Sequence, residues 1–413
     1  MKDNYDLIII GAGAAGLAAA ISFKRRCDGT VLLLDANDEA GRKILATGNG
    51  RCNITNTNAT GYQVSKEFFE SLGVLLDTEE EGRVYPLNRQ AVTVRNALYE
   101  EAVRLGAEFS FNCKVKGLSE GKDDNFIIVN EPFFSKSSSK KAGNDKLGSN
   151  KEGALSKSLT AKQVILATGG KAAPQFQSTG DGFSFARKLD IKVKSIAPAL
   201  TFLMYSQKVS DELSVLKGVR ARAKVMLKND FELVFEEKGE VQFTQDAISG
   251  ICIFNLSREM SHIEEKERLK VVLDLAPDYS EIQIAETIYN DYSAGLGGIV
   301  NDKLADYITN KAKNGLYGDF STDAAILIKN FEIDVDGTGG WKDAQVTSGG
   351  VDFSEIDLMR NESYKVPGLY FAGEIFDFDG PCGGFNLDFA WNSGILAGKS
   401  AGGYCDFYKQ RNS

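Results

Sequence analysis

The sequence predicts an α/β fold: a Rossmann-like dinucleotide-binding domain with a parallel sheet, interrupted by an inserted β-barrel-like and helical domain. Three observations carry that prediction. The chain opens as strand, glycine turn, helix and second strand, ending in Asp35. Two further apolar runs that end in glycines, 162–170 and 368–374, lie on either side of a long middle section. Finally, 413 residues exceed a single core of roughly 150 residues, and 43% hydrophobic with 25% charged residues is the composition of a chain that folds in water.

Taken in order, Tyr5 to Ile10 reads as a buried parallel strand, Gly11-Ala-Gly-Ala-Ala-Gly16 as G-x-G-x-x-G, Ala14 to Arg26 as a helix and Val31 to Asp35 as a second strand. Gly11 makes the tight turn, Gly13 lets backbone N–H groups approach a pyrophosphate, and Gly16 lets helix and strand pack closely. Asp35, 24 residues past Gly11, is placed to accept hydrogen bonds from a ribose. The uncharged stretch Leu7 to Phe23 is long enough to suggest a membrane span or signal peptide. Its three glycines, and Asp3 and Asp6 before it, point instead to strand, turn and helix. The following loop, Gly41 to Asn56, is too polar for a core and reads as functional. Lys162 to Gly170 and Gly368 to Glu374 would bring glycine turns to the carboxyl edge of the same sheet, where open α/β folds bind ligands.

Composition excludes several chemistries. Lys+Arg 48 against Asp+Glu 57 gives a net charge of −9, which disfavours a nucleic-acid partner. Cys27, Cys52, Cys113, Cys252, Cys382 and Cys405 form no C-x-x-C pair, so no zinc ribbon or dithiol motif is expected, and a reducing, cytoplasmic setting is. The single histidine, His262, sits in a charged helical stretch and reads as solvated, which removes Ser-His-Asp and multi-His metal sites. No metal is expected, and Glu79-Glu80-Glu81 reads as a polar turn.

Several ordered motifs identify a resemblance over nearly the whole chain. They are Gly41-Arg-Lys-Ile-Leu with Gly48-Asn-Gly-Arg-Cys-Asn53, Ala167-Thr-Gly-Gly170, Ser178-Thr-Gly-Asp-Gly182, Phe243-Thr244 with Ser249-Gly250, Ala344 to Val351, and Gly373-Glu374 leading into Asp379-Gly-Pro-Cys-Gly-Gly-Phe-Asn386. With these the chain resembles the HI0933-like (YhiN-like) three-domain flavoproteins, a family with aminoacetone oxidase-like and bile-acid Δ4/Δ6-reductase-like members. The resemblance implies FAD. Gly11, Gly13, Ala14, Ala15 and Gly16 would meet the pyrophosphate and Asp35 the adenosine ribose. Arg42, Lys43, Asn49, Gly50, Arg51, Cys52 and Asn53 would lie along the cofactor, the Val115 backbone would meet the adenine, and Ala167, Thr168, Gly169 and Gly373 would form the flanking turns. Glu374 would bind the ribityl chain, while Gly384, Phe385 and Asn386 would present amides near flavin N1 and O2. Lys171-Ala-Ala-Pro174, Phe385 and Asp388 depart from residues frequent in the family.

The signatures assign 1–190 and 345–413 to the FAD-binding domain, 191–260 to an inserted β-barrel-like domain and 261–344 to its helical part. In that helical part Ile282, Ala285, Ile288 and Tyr289 are expected on one face. Alternation marks strands at 222–227 and 231–235. The Ser/Lys/Gly-rich segment 134–157 reads as a mobile surface loop.

Because flavin carries the redox work, the protein need only orient a substrate, tune the ring and move a proton. Tyr85, Cys52 and Arg51 are the catalytic candidates: Tyr85 as proton donor, Cys52 as a thiol suited to packing more than to redox, Arg51 as a substrate contact. Asn53, Arg83 and Asn392 are further polar contacts, and Cys382 is a possible neighbour of Cys52. The favoured reading is NAD(P)H-dependent reduction of a conjugated C=C bond in an apolar enone such as a 3-oxo-Δ4/Δ6 bile acid. The alternatives are an oxidase of aminoacetone-like amines and a non-catalytic or RNA-associated flavoprotein. A lone G-x-G-x-x-G leaves NADH against NADPH open, the apolar run Ala199 to Met204 suits either a cavity wall or core, and the oligomeric state is not legible.

Overall fold

A computed structural model describes residues 2–121, 125–132, 157–230, 232–263, 269–290, 294–313, 315 and 318–412. The expected surface loop at 134–157 lies outside the described residues as far as 156. In chain order come β1 (Asn4–Ile10), α1 (Ala14–Arg26), β2 (Val31–Leu34), α2 (Arg42–Ala46), β3 (Thr55–Asn56), α3 (Tyr62–Glu70), β4 (Leu76–Thr78), β5 (Arg83–Pro86) and α4 (Ala91–Arg104). Then follow β6 (Glu108–Ser110), β7 (Cys113–Glu120), β8 (Phe126–Pro132), β9 (Lys157–Leu166) and α5 (Asp181–Lys188). The middle holds β10 (Ala197–Ala199), β11 (Leu203–Tyr205), α6 (Gln207–Leu213), β12 (Arg220–Asn229), β13 (Glu232–Phe243), β14 (Ala247–Ser249), α7 (Ile251–Ser261), β15 (Leu269–Asp274), α8 (Glu281–Tyr289), α9 (Asp302–Ala312), α10 (Phe320–Lys329), β16 (Phe331–Ile333), β17 (Val335–Thr338) and β18 (Val346–Ser348). The chain closes with β19 (Ile356–Asp357), β20 (Glu362–Ser363), β21 (Leu369–Phe371) and α11 (Phe385–Asn412). It forms two compact units, Met1–Ile196 with Gly349–Ser413, and Ala197–Ser348.

The discontinuous unit is built on parallel strands in the order β21-β9-β1-β2-β6. Leu7 and Ile9 of β1 enter one core with Leu17, Ile21 and Trp391, while Tyr5, Ile8 and Ile10 enter another with Ile128, Phe183 and Phe185. Both faces are covered, which is why β1 and β2 read as unbroken apolar runs. Ile10 stands opposite both Leu34 and Leu166, and Leu166 opposite Phe371. That register sets the turns at Gly11, Asp35, Ala167 and Gly373 along one carboxyl edge. Antiparallel β7, β8 and the β19–β20 hairpin extend the sheet.

α11 lies on α1 through small residues four apart. A Cβ on Gly394 would fall 2.3 Å from Ala15 O, and one on Gly398 would fall 2.2 Å from Ala19 O. The two backbones therefore approach too closely for any side chain at those positions.

The second unit carries, among the described residues, a seven-stranded antiparallel sheet ordered β16-β15-β12-β13-β14-β11-β17. Its end strands β16 and β17 follow one another with only Asp334 between them, so the sheet curls back on itself. Ala223, Val225 and Leu227 of β12 are buried in alternation against Ile253 and Leu256 of α7, Leu304 and Ile308 of α9 and Ile328 of α10. Two expectations need correction. Strands and helices interleave across 197–348 instead of separating at 260, because the short apolar run Val271-Val-Leu273 supplies a buried strand of its own. In α8 it is Ile284 that is buried, with Ala285 and Ile288 packed beside it, whereas Ile282 and Tyr289 are 71% and 79% exposed.

Candidate functional site

The site grows from the four turns at the sheet's carboxyl edge. Gly11, at φ 106°, could not carry a side chain, since a Cβ would lie 2.2 Å from Ala167 O. Gly16 is equally forced, its Cβ falling 1.9 Å from Gly11 O, so helix and strand meet there as the spacing predicts. Gly13 differs. A Cβ there would meet nothing within 4 Å, so protein packing does not demand the glycine. α1 also begins without a side-chain cap or an acid in its first turn, leaving the N–H groups of Ala14, Ala15 and Gly16 for an external anion. An open glycine before an uncapped helix fits a pyrophosphate.

Asp35 locks the next turn. Its Oδ2 accepts from Ala12 N at 2.7 Å and its Oδ1 from Asn37 N at 2.8 Å and Asn37 Nδ2 at 3.0 Å. Burial outweighs these donors and pushes its carboxyl above the usual range. Asn37 is a residue the sequence did not single out. It is buried, its Nδ2 also donates to Phe176 O at 3.1 Å, and its Oδ1 finds no protein donor. Val115 is buried on β7, beside the register shift between Val115 and Gly117 that bends this strand. Thr168 and Gly169, the latter at φ 70°, are half-buried in the turn after β9.

The 41–56 loop crosses to the far end of the sheet edge. Lys43 Nζ reaches Glu374 Oε2 at 2.8 Å and Ala172 O at 3.3 Å, joining three segments of the site. Arg42 is turned outward to Asp38 at 3.0 Å. Gly48, Asn49, Gly50 and Cys52 all have positive φ, with Asn49 and Gly50 at the surface. Cys52 is fully buried, and burial pushes its thiol up to about 12, with Thr47 the only opposing influence. It is therefore a protonated packing group at neutral pH. Cys382 is half-buried, and neither cysteine is in a disulfide.

Tyr85 on β5 is buried, and the guanidinium groups of Arg51 and Arg89 lie 4.8 and 5.0 Å from its ring centroid. Glu79 ties those arginines together, at 2.8 Å from Arg89 and 3.8 Å from Arg51. Arg83 pairs with Glu81.

The N-terminus of α11 closes the site. Gly383 and Gly384 have φ 122° and 105°, and a Cβ on Gly384 would lie 2.4 Å from Thr55 O. Asn386 holds this turn with its side chain, exchanging bonds of 2.8 Å with Gly380 N and O, so only its backbone faces outward chemistry. Behind it, buried Asp388 accepts from Thr55 Oγ1 at 2.6 Å, Ser65 Oγ at 2.7 Å and Gly61 N at 3.1 Å. Asn392 Nδ2 donates to Ser65 Oγ, Asp388 O and Gly61 O. Expected as a substrate contact, Asn392 is instead part of the support beneath the site. Asn53 is buried with its Oδ1 unpartnered. An open glycine, the uncapped start of α1 and the Lys43–Glu374 pair along one sheet edge together fit an extended dinucleotide such as FAD.

A cavity of about 730 Å³ lies elsewhere in this unit, at the C-terminal end of α1, lined by Arg25, Arg26, Arg360, Lys399 and Tyr404 among others. Arg25 and Arg360 are paired with Glu101 and Glu362, so it is a partly neutralised surface recess. His262 is exposed at the end of α7, 3.9 Å from Glu259.

Residues 5–67 and 61–400 match the sequence profile of the HI0933-like protein Rossmann domain. The chain is 30% identical to the 3-dehydro-bile acid delta(4,6)-reductase of Clostridium scindens, over 95% of this chain and 98% of that protein. It is 27% identical to the ribosomal RNA dihydrouridine synthase of Escherichia coli K12, over 97% and 100% of the two chains. Two solved structures share the fold. An open-form flavocytochrome c3 fumarate reductase has TM-score 0.51 at 16% identity, covering 98% of this chain and 79% of that one. The 3-ketosteroid delta1-dehydrogenase of Sterolibacterium denitrificans has TM-score 0.50 at 12% identity, covering 98% and 100%. With a profile match across nearly all of its length and a curated relative aligned end to end, the chain belongs to the HI0933-like family and is a Rossmann-fold, FAD-dependent oxidoreductase.

Proposed function

We propose that this protein reduces a carbon–carbon double bond conjugated to a carbonyl, taking electrons from NADH or NADPH, with an apolar 3-oxo-Δ4/Δ6 bile acid or similar enone as substrate. The observation that carries the reading is the end-to-end match to a 3-dehydro-bile acid delta(4,6)-reductase at 30% identity. When bound, FAD supplies the hydride for the β-carbon of the enone. This chain's residues supply the rest. Lys43 and Glu374 hold the centre of the cofactor site through their 2.8 Å ion pair. The amides of 384–386 at the start of α11 would favour negative charge on a flavin ring bound against them. Arg51, exposed on the 41–56 loop, orients the substrate's polar group, and Tyr85, beneath Arg51 and Arg89, gives the proton to the α-carbon. Cys52, buried and protonated, takes no redox part.

The match to a ribosomal RNA dihydrouridine synthase supports a second reading, in which the substrate is a uracil ring in RNA. The chemistry is the same, because uracil's C5=C6 bond is also conjugated to a carbonyl. A net charge of −9 favours the small enone over an RNA. Anaerobic mixing of the holoprotein with NADH, NADPH and aminoacetone tests the electron source. Bleaching of oxidised flavin by a pyridine nucleotide is expected. Bleaching by aminoacetone alone, reversed by O₂, would establish an oxidase and sink the reductase reading.

A further inference from the structure

We propose that the recess at the C-terminal end of α1 is a second binding site, for a small ligand that carries two or more adjacent phosphates: a diphosphate ion or a nucleoside diphosphate. Its volume of about 730 Å³ is that of a small-molecule site. Arg25 and Arg26 of α1, Arg360 of the β19–β20 turn and Lys399 of α11 line it, and among the described residues no carboxylate does. A chain of net charge −9 thus gathers four cations around one concavity. Ser22, Ser400 and Tyr404 add hydroxyls to the same wall. Guanidinium forks and an ammonium beside hydroxyl donors are the groups that recognise phosphate oxygens. The site is separate from the cofactor's. α1 starts at the Gly13 turn and runs 13 residues, which puts the recess about 20 Å from the pyrophosphate turn.

Helix-dipole compensation accounts for part of this charge and not for the rest. Arg25 and Arg26 stand with Lys24 in the last turn of α1, where the helix's negative end favours cations. Arg360 lies between two strands and Lys399 in the interior of α11, so neither answers to that dipole. Ion pairing does not consume the charge either. Glu101, 2.9 Å from Arg25, is shared with Arg104 at 2.7 Å, and Glu362, 3.2 Å from Arg360, also accepts from Gly368 N at 2.8 Å. Lys399 is exposed and has no ion pair among the described residues. Gly403, also in the wall, is an independent sign. Gly394, Gly398 and Gly402 of α11 meet α1 closely, whereas a Cβ on Gly403 would meet nothing within 4 Å. Glycine is the poorest helix former after proline, and protein packing does not demand it at 403; there it keeps the recess open.

The test titrates FAD-loaded protein, whose dinucleotide site is filled, with orthophosphate, inorganic pyrophosphate and ADP by isothermal calorimetry at low salt. Pyrophosphate is expected to bind at least about tenfold more tightly than orthophosphate, and Lys399→Gln and Arg360→Gln each to weaken it by about fivefold or more. ADP tighter than pyrophosphate identifies a nucleotide as the ligand, and ADP no tighter identifies the diphosphate group alone; each supports the site. No binding of either diphosphate, equal affinity for orthophosphate and pyrophosphate, or binding that both variants leave unchanged would overturn the proposal. So would capture of a single-stranded RNA by protein that binds neither diphosphate. Should Arg360→Gln not fold, Lys399→Glu reverses a charge at an exposed position, and undiminished pyrophosphate binding there would equally overturn it.

Discussion

At the scale of single residues, the thiol of Cys52 shows how burial sets chemistry. Its folded pKa of about 12 lies above the roughly 8.5 of an unfolded cysteine. Its contribution to stability is therefore fully present below about pH 8.5 and is lost as pH rises toward 12. In the native protein at pH 8, half-buried Cys382 should be alkylated by iodoacetamide and Cys52 should not, as peptide mass spectrometry will show. Alkylation of native Cys52 would contradict its assignment as a packing group. Lys43→Met removes the ion pair to Glu374 and should weaken FAD retention by about tenfold, measured by equilibrium dialysis. The glycines of the first turn were legible in the sequence because their constraint is local. Asn37 and the support role of Asn392 were not, because a missing donor or a committed amide exists only once distant segments meet.

Secondary-structure elements were legible where one pattern has one solution. β1 and β2, apolar on both faces, can only be central parallel strands, and the structure buries them so. α8 was half misread: Ala285 and Ile288 of the expected stripe pack against the core beside buried Ile284, while Ile282 and Tyr289 fall outside that line and are exposed. The α1–α11 contact makes a sharper prediction. Alanine is the better helix former, yet Gly398→Ala places a methyl 2.2 Å from Ala19 O and should destabilise the protein by about 1–3 kcal/mol, read as a lowered Tm. A raised Tm would mean that the helices do not meet there. Asp388 joins α11 to β3 and α3 through three hydrogen bonds. Asp388→Ala leaves Thr55 and Ser65 without their acceptor and should cost about 3 kcal/mol in urea unfolding.

At the scale of the whole molecule, acid sensitivity and catalysis are both collective. Asp352 is held down to about 2, chiefly by Lys192 at 2.8 Å, with help from Ser354 N. A depressed carboxylate stabilises the fold above its unfolded pKa near 4, and that contribution is lost as pH falls from about 4 to 2. Lys192→Met should lower stability at pH 7 by the worth of the ion pair, up to about 1 kcal/mol, and leave it unchanged below about pH 2, so that the profile flattens in that window, as denaturant midpoints against pH will show. The sheet order that aligns four distant turns was legible only as a rule about carboxyl edges, and the structure supplies the register that makes it one site. The central claim is that this site delivers reducing equivalents to a C=C bond conjugated to a carbonyl. Its most direct test is to reduce the holoprotein under strict anaerobiosis, add a 3-oxo-Δ4 bile acid, and follow flavin absorbance near roughly 450 nm together with product mass. The account predicts rapid return of oxidised flavin and a product two hydrogens heavier. Reduced flavin that persists with the enone and is reoxidised only when O₂ is admitted would contradict it.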